Sequence, residues 1–158
     1  MDAGEFYDED FFRAVRASGA RVLLIGRRAL VALGAPVLTS DYDVWVHFDD
    51  VERLNAAFAP LDHFPNHPPD EARRRGRYVL ENGQRIDVML ARSKAGPDGA
   101  VLSFDEAWRD RQTLDVGAGL TVDLPSLPHL VATKRWGMRP RDLADIEWLT
   151  LLRKGSDP

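Results

Sequence analysis

The residues of this chain best suited to chemistry are carboxylates. In residues 38–46, LTSDYDVWV, Asp41 and Asp43 stand two apart at the mouth of an otherwise apolar, β-branched run. On a strand, residues two apart face the same side, roughly 7 Å apart along the chain. Asp41, Asp43 and Trp45 then share one face, and Tyr42, Val44, Val46 and Phe48 form the apolar, core-facing side. The carboxylates are expected to point toward a cleft or solvent. Residues 85–90, RIDVML, repeat the construction, with Ile86, Val88 and Leu90 on the apolar face and Arg85, Asp87 and Met89 opposite. If the two strands are neighbours, Asp87 stands beside Asp41 and Asp43. Three carboxylates gathered in one place repel one another unless a cation neutralises them. Such hard oxygen ligands suit Mg²⁺ (or Mn²⁺), which keeps several waters and recruits substrate phosphates. A pair of these ions about 3.5–4 Å apart would activate an attacking hydroxyl and stabilise a leaving pyrophosphate oxygen. A D-x-D triplet alone is a common accident, and each aspartate also reads as a turn or exposed strand residue. Its meaning depends on what positions it.

Upstream, residues 22–25 (VLLI) read as a short buried strand ending at Gly26, and residues 27–33 have helical spacing stopped by Gly34. A loop then returns the chain to a strand over 42–48. Gly26 permits close backbone approach, and a helix start at Arg27 and Arg28 offers unpaired N–H groups to an anion. Phosphate held there would lie next to metal held by Asp41 and Asp43. Around this unit the spacing predicts an amphipathic helix over 6–18, a helix N-capped by Asp49 or Asp50 and ending at 58, and a hairpin of 77–80 and 84–91 turning at Asn82-Gly83. A capping box at Ser103–Glu106 opens a helix over 103–111, a strand covers 120–124, and helices over 126–137 and 140–153 follow, with Pro140 in a first turn. Residues 65–70, 94–99 and 154–158 read as flexible. The order α-β-α-β-α-β-β-α-β-α-α predicts an α/β (α+β) domain with a mixed sheet, one domain over 1–158.

The segment from 22 to 47 resembles the minimal nucleotidyltransferases of the polymerase-β-like superfamily, and is most similar to the abortive-infection (AbiEii-type) branch of bacterial toxin–antitoxin and defence loci. That pattern is an apolar strand, Gly-Gly or Gly-Ser, about a dozen residues, Asp-x-Asp or Asp-x-Glu, and a third carboxylate on a later strand. Gly26, Asp41, Asp43 and Asp87 fall at matching places, and Thr39 matches a Thr two residues before the first Asp. Residues 124–149 resemble the same branch, with Lys134, Arg139, Asp142 and Asp145 as counterparts. The match runs from about residue 20 to 150.

The resemblance implies a nucleotidyltransferase fold, with helices mainly on one face of a twisted mixed sheet and two C-terminal helices. It implies metal-dependent transfer of a nucleoside monophosphate from an NTP to a hydroxyl of RNA, protein or a small molecule. Asp41, Asp43 and Asp87 would ligate Mg²⁺ and Asp87 would draw the acceptor proton. Gly26, Arg27, Arg28, Thr39, Ser40 and Lys134 would hold the nucleotide. A cognate toxin or antitoxin partner would accompany such a role. Two positions depart from the pattern: Arg27 replaces the small second residue of the Gly-Gly/Ser pair, and Val37 stands where many relatives carry Arg. Arg27 either clamps phosphate or fills the pocket, and in the second case the chain is a catalytically impaired, antitoxin-like binding protein on the same fold.

Composition agrees with a globular domain of ordinary make-up, 44% hydrophobic and 29% charged. No apolar run reaches membrane-helix length, the first residues lack the basic region of a signal peptide, and the absence of cysteine fits a reducing cytoplasm. A net charge of −4 argues against a bulk nucleic-acid coat, but a run at Arg73, Arg74, Arg75 and Arg77 leaves room for a local basic groove, or for a plain solvated face. A glycosyltransferase using the D-x-D is disfavoured by length. His63 and His67 have the spacing of a helical metal pair, but Pro65, Pro68 and Pro69 forbid that helix and make them loop residues. Trp45 either stacks on a base or packs under a loop.

Overall fold

A computed structural model describes residues 8–137 and 139–156. The first two residues of the expected 6–18 helix and the last two of the 154–158 tail lie outside the described residues. Helix α1 (Asp8–Ser18) is amphipathic because its apolar residues recur at helical spacing, and it buries Phe11, Phe12, Ala14 and Val15. Strand β1 (Val22–Ile25) runs directly into α2 (Gly26–Ala32), and a loop leads to β2 (Tyr42–Val46). Next come α3 (Val51–Phe58), the two-residue edge strand β3 (Phe64–Pro65), α4 (Pro69–Arg75) and the hairpin β4 (Arg77–Asn82) and β5 (Gln84–Met89). A small hairpin, β6 (Ser93–Ala95) and β7 (Val101–Ser103), precedes α5 (Phe104–Arg109). A second, β8 (Gln112–Gly117) and β9 (Leu120–Leu124), precedes α6 (Leu127–Arg135) and α7 (Pro140–Ser156).

The main sheet has the order β1-β2-β5-β4-β3 and is mixed: β2 and β5 are parallel, and the other neighbours are antiparallel. The period-2 alternation of β2 and β5 sorts their residues as the sequence requires. Tyr42, Val44, Val46, Ile86, Val88 and Leu90 enter the principal core with Phe11, Leu54, Phe58, Tyr78 and Leu80.

The opposite face departs from expectation. A second core of Leu23, Trp45, Leu102, Phe104 and Ala107 covers part of it, and it stays open at the carboxylate end and toward the β3 edge, where Phe64 is exposed. Trp45, on the carboxylate face, is wholly buried. Its ring meets Phe104 and Trp136 edge-on, and its indole N–H donates to the Ala91 carbonyl at 2.8 Å. Of its two readings, packing under a loop is the one realised.

Several local expectations need correction. Residues 65–70, expected to be flexible, contain the end of β3 and the start of α4; Pro69 occupies a first helical turn, where no N–H is needed. Residues 94–99 are the closing end of the β6–β7 hairpin. Strand β8 was absent from the expected order; its alternation of half-buried and exposed residues lacks the apolar run that marks β9. Helix α7 continues through 154–156. His63 lies in a loop, as expected, and is buried against Phe58.

Candidate active site

Parallel pairing of β2 with β5 puts Asp43 directly opposite Asp87. Neighbouring strands lie about 4.8 Å apart, so paired residues share a face and their carboxylates are close neighbours. Asp41, just before β2, is exposed at the mouth of the same face. Asp43 is half-buried, and its pKa is pushed up to about 6, first by burial and then by the charges of Asp87 and Asp41; Lys134 and Arg139 act in the opposite direction. All five side chains are thus electrostatically one site.

Gly26 explains itself here. Its φ is +69°, and a Cβ at that position would come within 2.9 Å of the Asp43 Cβ and run into the carboxylate. The β1–α2 corner can press against Asp43 only if residue 26 has no side chain.

The loop before β2 is tied down by residues expected to bind nucleotide. The Asp41 N–H donates to Thr39 Oγ1 at 3.1 Å. Arg28 donates to the carbonyls of Asp41 (3.3 Å) and Thr39 (3.0 Å), covers the Tyr42 ring and pairs with Asp8. Gln84 donates to the Ser40 carbonyl at 2.6 Å. In this arrangement Arg28, Thr39 and Ser40 position Asp41.

Arg27 does not line the main cleft. Its guanidinium turns to Asp145 on α7, with both contacts at 3.4 Å. The same carboxylate takes Lys134 Nζ at 3.0 Å, and Lys134 and Asp145 are both buried. One aspartate of α7 therefore joins the start of α2 to α6. Beside it the turn between α6 and α7 folds over Gly137, where a Cβ would stand 2.7 Å from Asp142 Oδ2. Asp142 accepts from the N–H and Nε of Arg139 at 3.0 and 2.9 Å. Burial works to raise its pKa, but these hydrogen bonds outweigh it and hold the carboxyl below its ordinary range.

The cleft so formed has a volume of about 970 Å³ and takes in Gly26, Asp43, Asp87, Lys134, Arg139 and Asp142. A smaller recess of about 500 Å³ lies beside it, between Arg27, Thr39, Ser40, Asp41 and Arg141. The large cleft also includes His67, Arg75, Arg77 and Lys94, which sequence reasoning did not place in the site. The arginine run was the available signal, and the structure divides it. Arg73 bonds to the Phe48 carbonyl and Glu52, Arg74 and Arg75 pair with Glu71, and Arg77 lines the cleft without a carboxylate partner among the described residues.

Among the described residues no group of three or more His, Asp or Glu side chains is close enough to enclose a metal ion. The donor chemistry nevertheless fits a hard divalent cation. Asp43 and Asp87 face each other in register, and a cation between them would offset the burial and the neighbouring charges that raise the Asp43 pKa. Mg²⁺ takes one or two protein carboxylates and completes its shell with water and phosphate. Arg85 already engages one Asp87 oxygen at 3.2 Å, and it would have to share that oxygen with a metal.

No protein-family profile matches the sequence, and no curated protein matches it. Solved structures do match. One is a crystal structure from Thermotoga maritima, provisionally assigned as a nucleotidyltransferase; it is 14% identical, with a TM-score of 0.57, over 95% of this chain and 94% of that one. Another is the solution structure of the antibiotic-resistance factor ANT(2'')-Ia, 16% identical, with a TM-score of 0.62, over 94% of this chain and 82% of that one. The chain has a nucleotidyltransferase fold.

Proposed function

We propose that this protein is a metal-dependent nucleotidyltransferase moving a nucleoside monophosphate from an NTP to a hydroxyl acceptor. The observation that carries the reading is the in-register pair Asp43–Asp87, pressed against Gly26 at the open end of the sheet. Asp43 and Asp87 would hold Mg²⁺ or Mn²⁺, with Asp41 at the mouth of the same face as a further carboxylate, and the ion when bound supplies charge neutralisation for the phosphates and the leaving pyrophosphate. Gly26 lets the backbone approach the phosphates. Lys134 and Arg139 line the same cleft as Asp43 and lend positive charge where phosphoryl transfer demands it. Asp87, at the side of the pair away from Gly26, would accept the acceptor proton.

Arg27 and Arg141, flanking Asp41 in the smaller recess, make a second cationic edge for the triphosphate. That arrangement favours Arg27 as a clamp over Arg27 as an obstruction. Membership of the AbiEii-type branch draws support from Lys134, Arg139, Asp142 and Asp145, whose ion pairs form the cleft wall. A toxin–antitoxin role, a cognate partner and a cytoplasmic location extend that reading. Among the described residues no helix is long and apolar enough to cross a membrane.

A second reading, a nucleotidyltransferase-fold binding protein without turnover, is favoured by one feature: Lys134 and Asp87 already have ion-pair partners. Titration with each NTP, with and without Mg²⁺, tests the nucleotide site, and transfer of label from an NTP to whole-cell RNA or protein separates the two. The enzyme reading expects a metal-dependent rise in Tm that disappears in Asp41→Ala/Asp43→Ala. Absence of any NTP response in the wild type overturns it.

A further inference from the structure

We infer that the acceptor is a single nucleic-acid strand, seated on the open sheet face beyond Asp87; this rests on the nucleotidyl-transfer reading above. In transfer to the α-phosphorus, the acceptor oxygen attacks in line with the departing group. The O–P bond forms as the Pα–O–Pβ bridge breaks, the electron pair leaves with pyrophosphate, and the hydroxyl proton passes to Asp87. The donor phosphates belong on the side of Gly26 and Lys134, so the acceptor must come from the other side of Asp87, across β4 and β3.

Register defines that surface. Val79 is the β4 partner of Asp87, and Glu81, two residues on, is the partner of Phe64 on β3. Cross-strand partners share a face, so Val79 and Phe64 lie on the same open side as Asp87. Phe64 is 56% exposed, an uncovered ring at the sheet edge. The cleft wall carries His67, Arg77 and Lys94, with Arg77 four residues along β4 from Glu81, so a nucleic-acid strand has to run about 13 Å to reach from the cations to Phe64. Among the described residues neither Arg77 nor Lys94 pairs with a carboxylate; Lys94 rests over the Trp136 ring.

This combination discriminates between acceptors. A polycation meets unpaired Arg77 and Lys94 and is repelled. A neutral small molecule uses neither charge. A strand satisfies both features at once, its phosphates on the cations and a base on Phe64, as in single-strand binding grooves.

The test is fluorescence polarisation with a 5′-labelled 12-nucleotide single-stranded RNA bearing a free 3′ hydroxyl, beside a DNA of the same sequence. The wild type is expected to bind, with affinity falling as salt rises. Arg77→Glu/Lys94→Glu should bind at least about tenfold more weakly. Arg77→Ala/Lys94→Ala should lower the slope of log K against log salt by about 1.4, two contacts at roughly 0.7 each. Phe64→Ala should cost about fivefold or more. Equal binding of RNA and DNA means the phosphates carry recognition, and preference for RNA means the 2′-hydroxyl is read as well; either supports the inference. Failure of the wild type to bind either strand, or equal binding by both double variants, overturns it. Thermal unfolding of all three variants without ligand should match the wild type and reports folding, and the thermal shift with NTP and Mg²⁺ is run on the wild type. Loss of the nucleotide response in the wild type while strand binding persists would overturn the transfer reading and leave the strand site standing.

Discussion

Asp43→Asn should make the metal-free protein more stable at neutral pH. The Asp43 carboxyl is pushed up to about 6 from an ordinary value near 3.8, first by burial and then by Asp87 and Asp41. In the unfolded chain it loses its proton near 3.8; in the fold it keeps it until about 6. Between those values the folded state binds the extra proton, so stability falls as pH rises. Below about 3.8 the group costs nothing, and above 6 the full cost remains. A difference of about 2 units corresponds to about 3 kcal/mol at the upper limit. Asp43 is half-buried and faces an open cleft, so solvent screening brings the expected gain to about 1–2 kcal/mol.

For a chain of this length that is a rise in Tm of about 2–8 °C. The assay is the Tm of wild type and Asp43→Asn from pH 4 to 8 in the presence of EDTA. The variant-minus-wild-type difference should be near zero at pH 4, grow between 4 and 6, and level off above 6. Adding Mg²⁺ at pH 7.5 should raise the wild type toward or past the variant while the variant responds less. A difference that is flat with pH, or a variant less stable than wild type at pH 7.5 without metal, refutes the claim that burial and the neighbouring carboxylates hold a proton on Asp43 in the fold.

Three further outcomes follow from the packing. Gly26→Ala should destabilise by about 2 kcal/mol or more in urea unfolding, since it meets both a positive φ and the Asp43 side chain. Asp145→Ala should cost about 3–5 kcal/mol, because it strands a buried Lys134; Asp145→Ala/Lys134→Met should recover most of the loss in the same measurement. Arg27→Gly should weaken Mg²⁺–NTP binding by calorimetry, and a gain in affinity would show that Arg27 obstructs the site after all.

The site was legible where side-chain pattern and backbone geometry coincide. Alternation in 42–46 and 86–90 was enough to set Asp43 and Asp87 on one face, because apolar residues at every second position leave a strand no other way to orient. Gly26 was legible as a close-approach position, though not that its neighbour is Asp43. The hairpin about Asn82-Gly83 followed from turn chemistry, and its Gly83 has φ +70°. What could not be read is whatever depends on long-range covering. Nothing local in residues 93–109 says that they fold over Trp45, so the carboxylate face looked more open than it is.

Arg27 is the sharpest case of that limit. Judged by its neighbours in sequence, a bulky cation follows Gly26 where a phosphate should pass, and both a clamp and a plug are consistent with it. The deciding contact is with Asp145, 118 residues away. Once α7 places that carboxylate between α2 and α6, Arg27 and Lys134 share one counter-ion and neither is free to collapse onto Asp43. A small residue at position 27 would leave Asp145 with Lys134 alone. The arginine thus belongs with the C-terminal helices as part of one electrostatic unit, and its bulk lies beside the cleft, not across it.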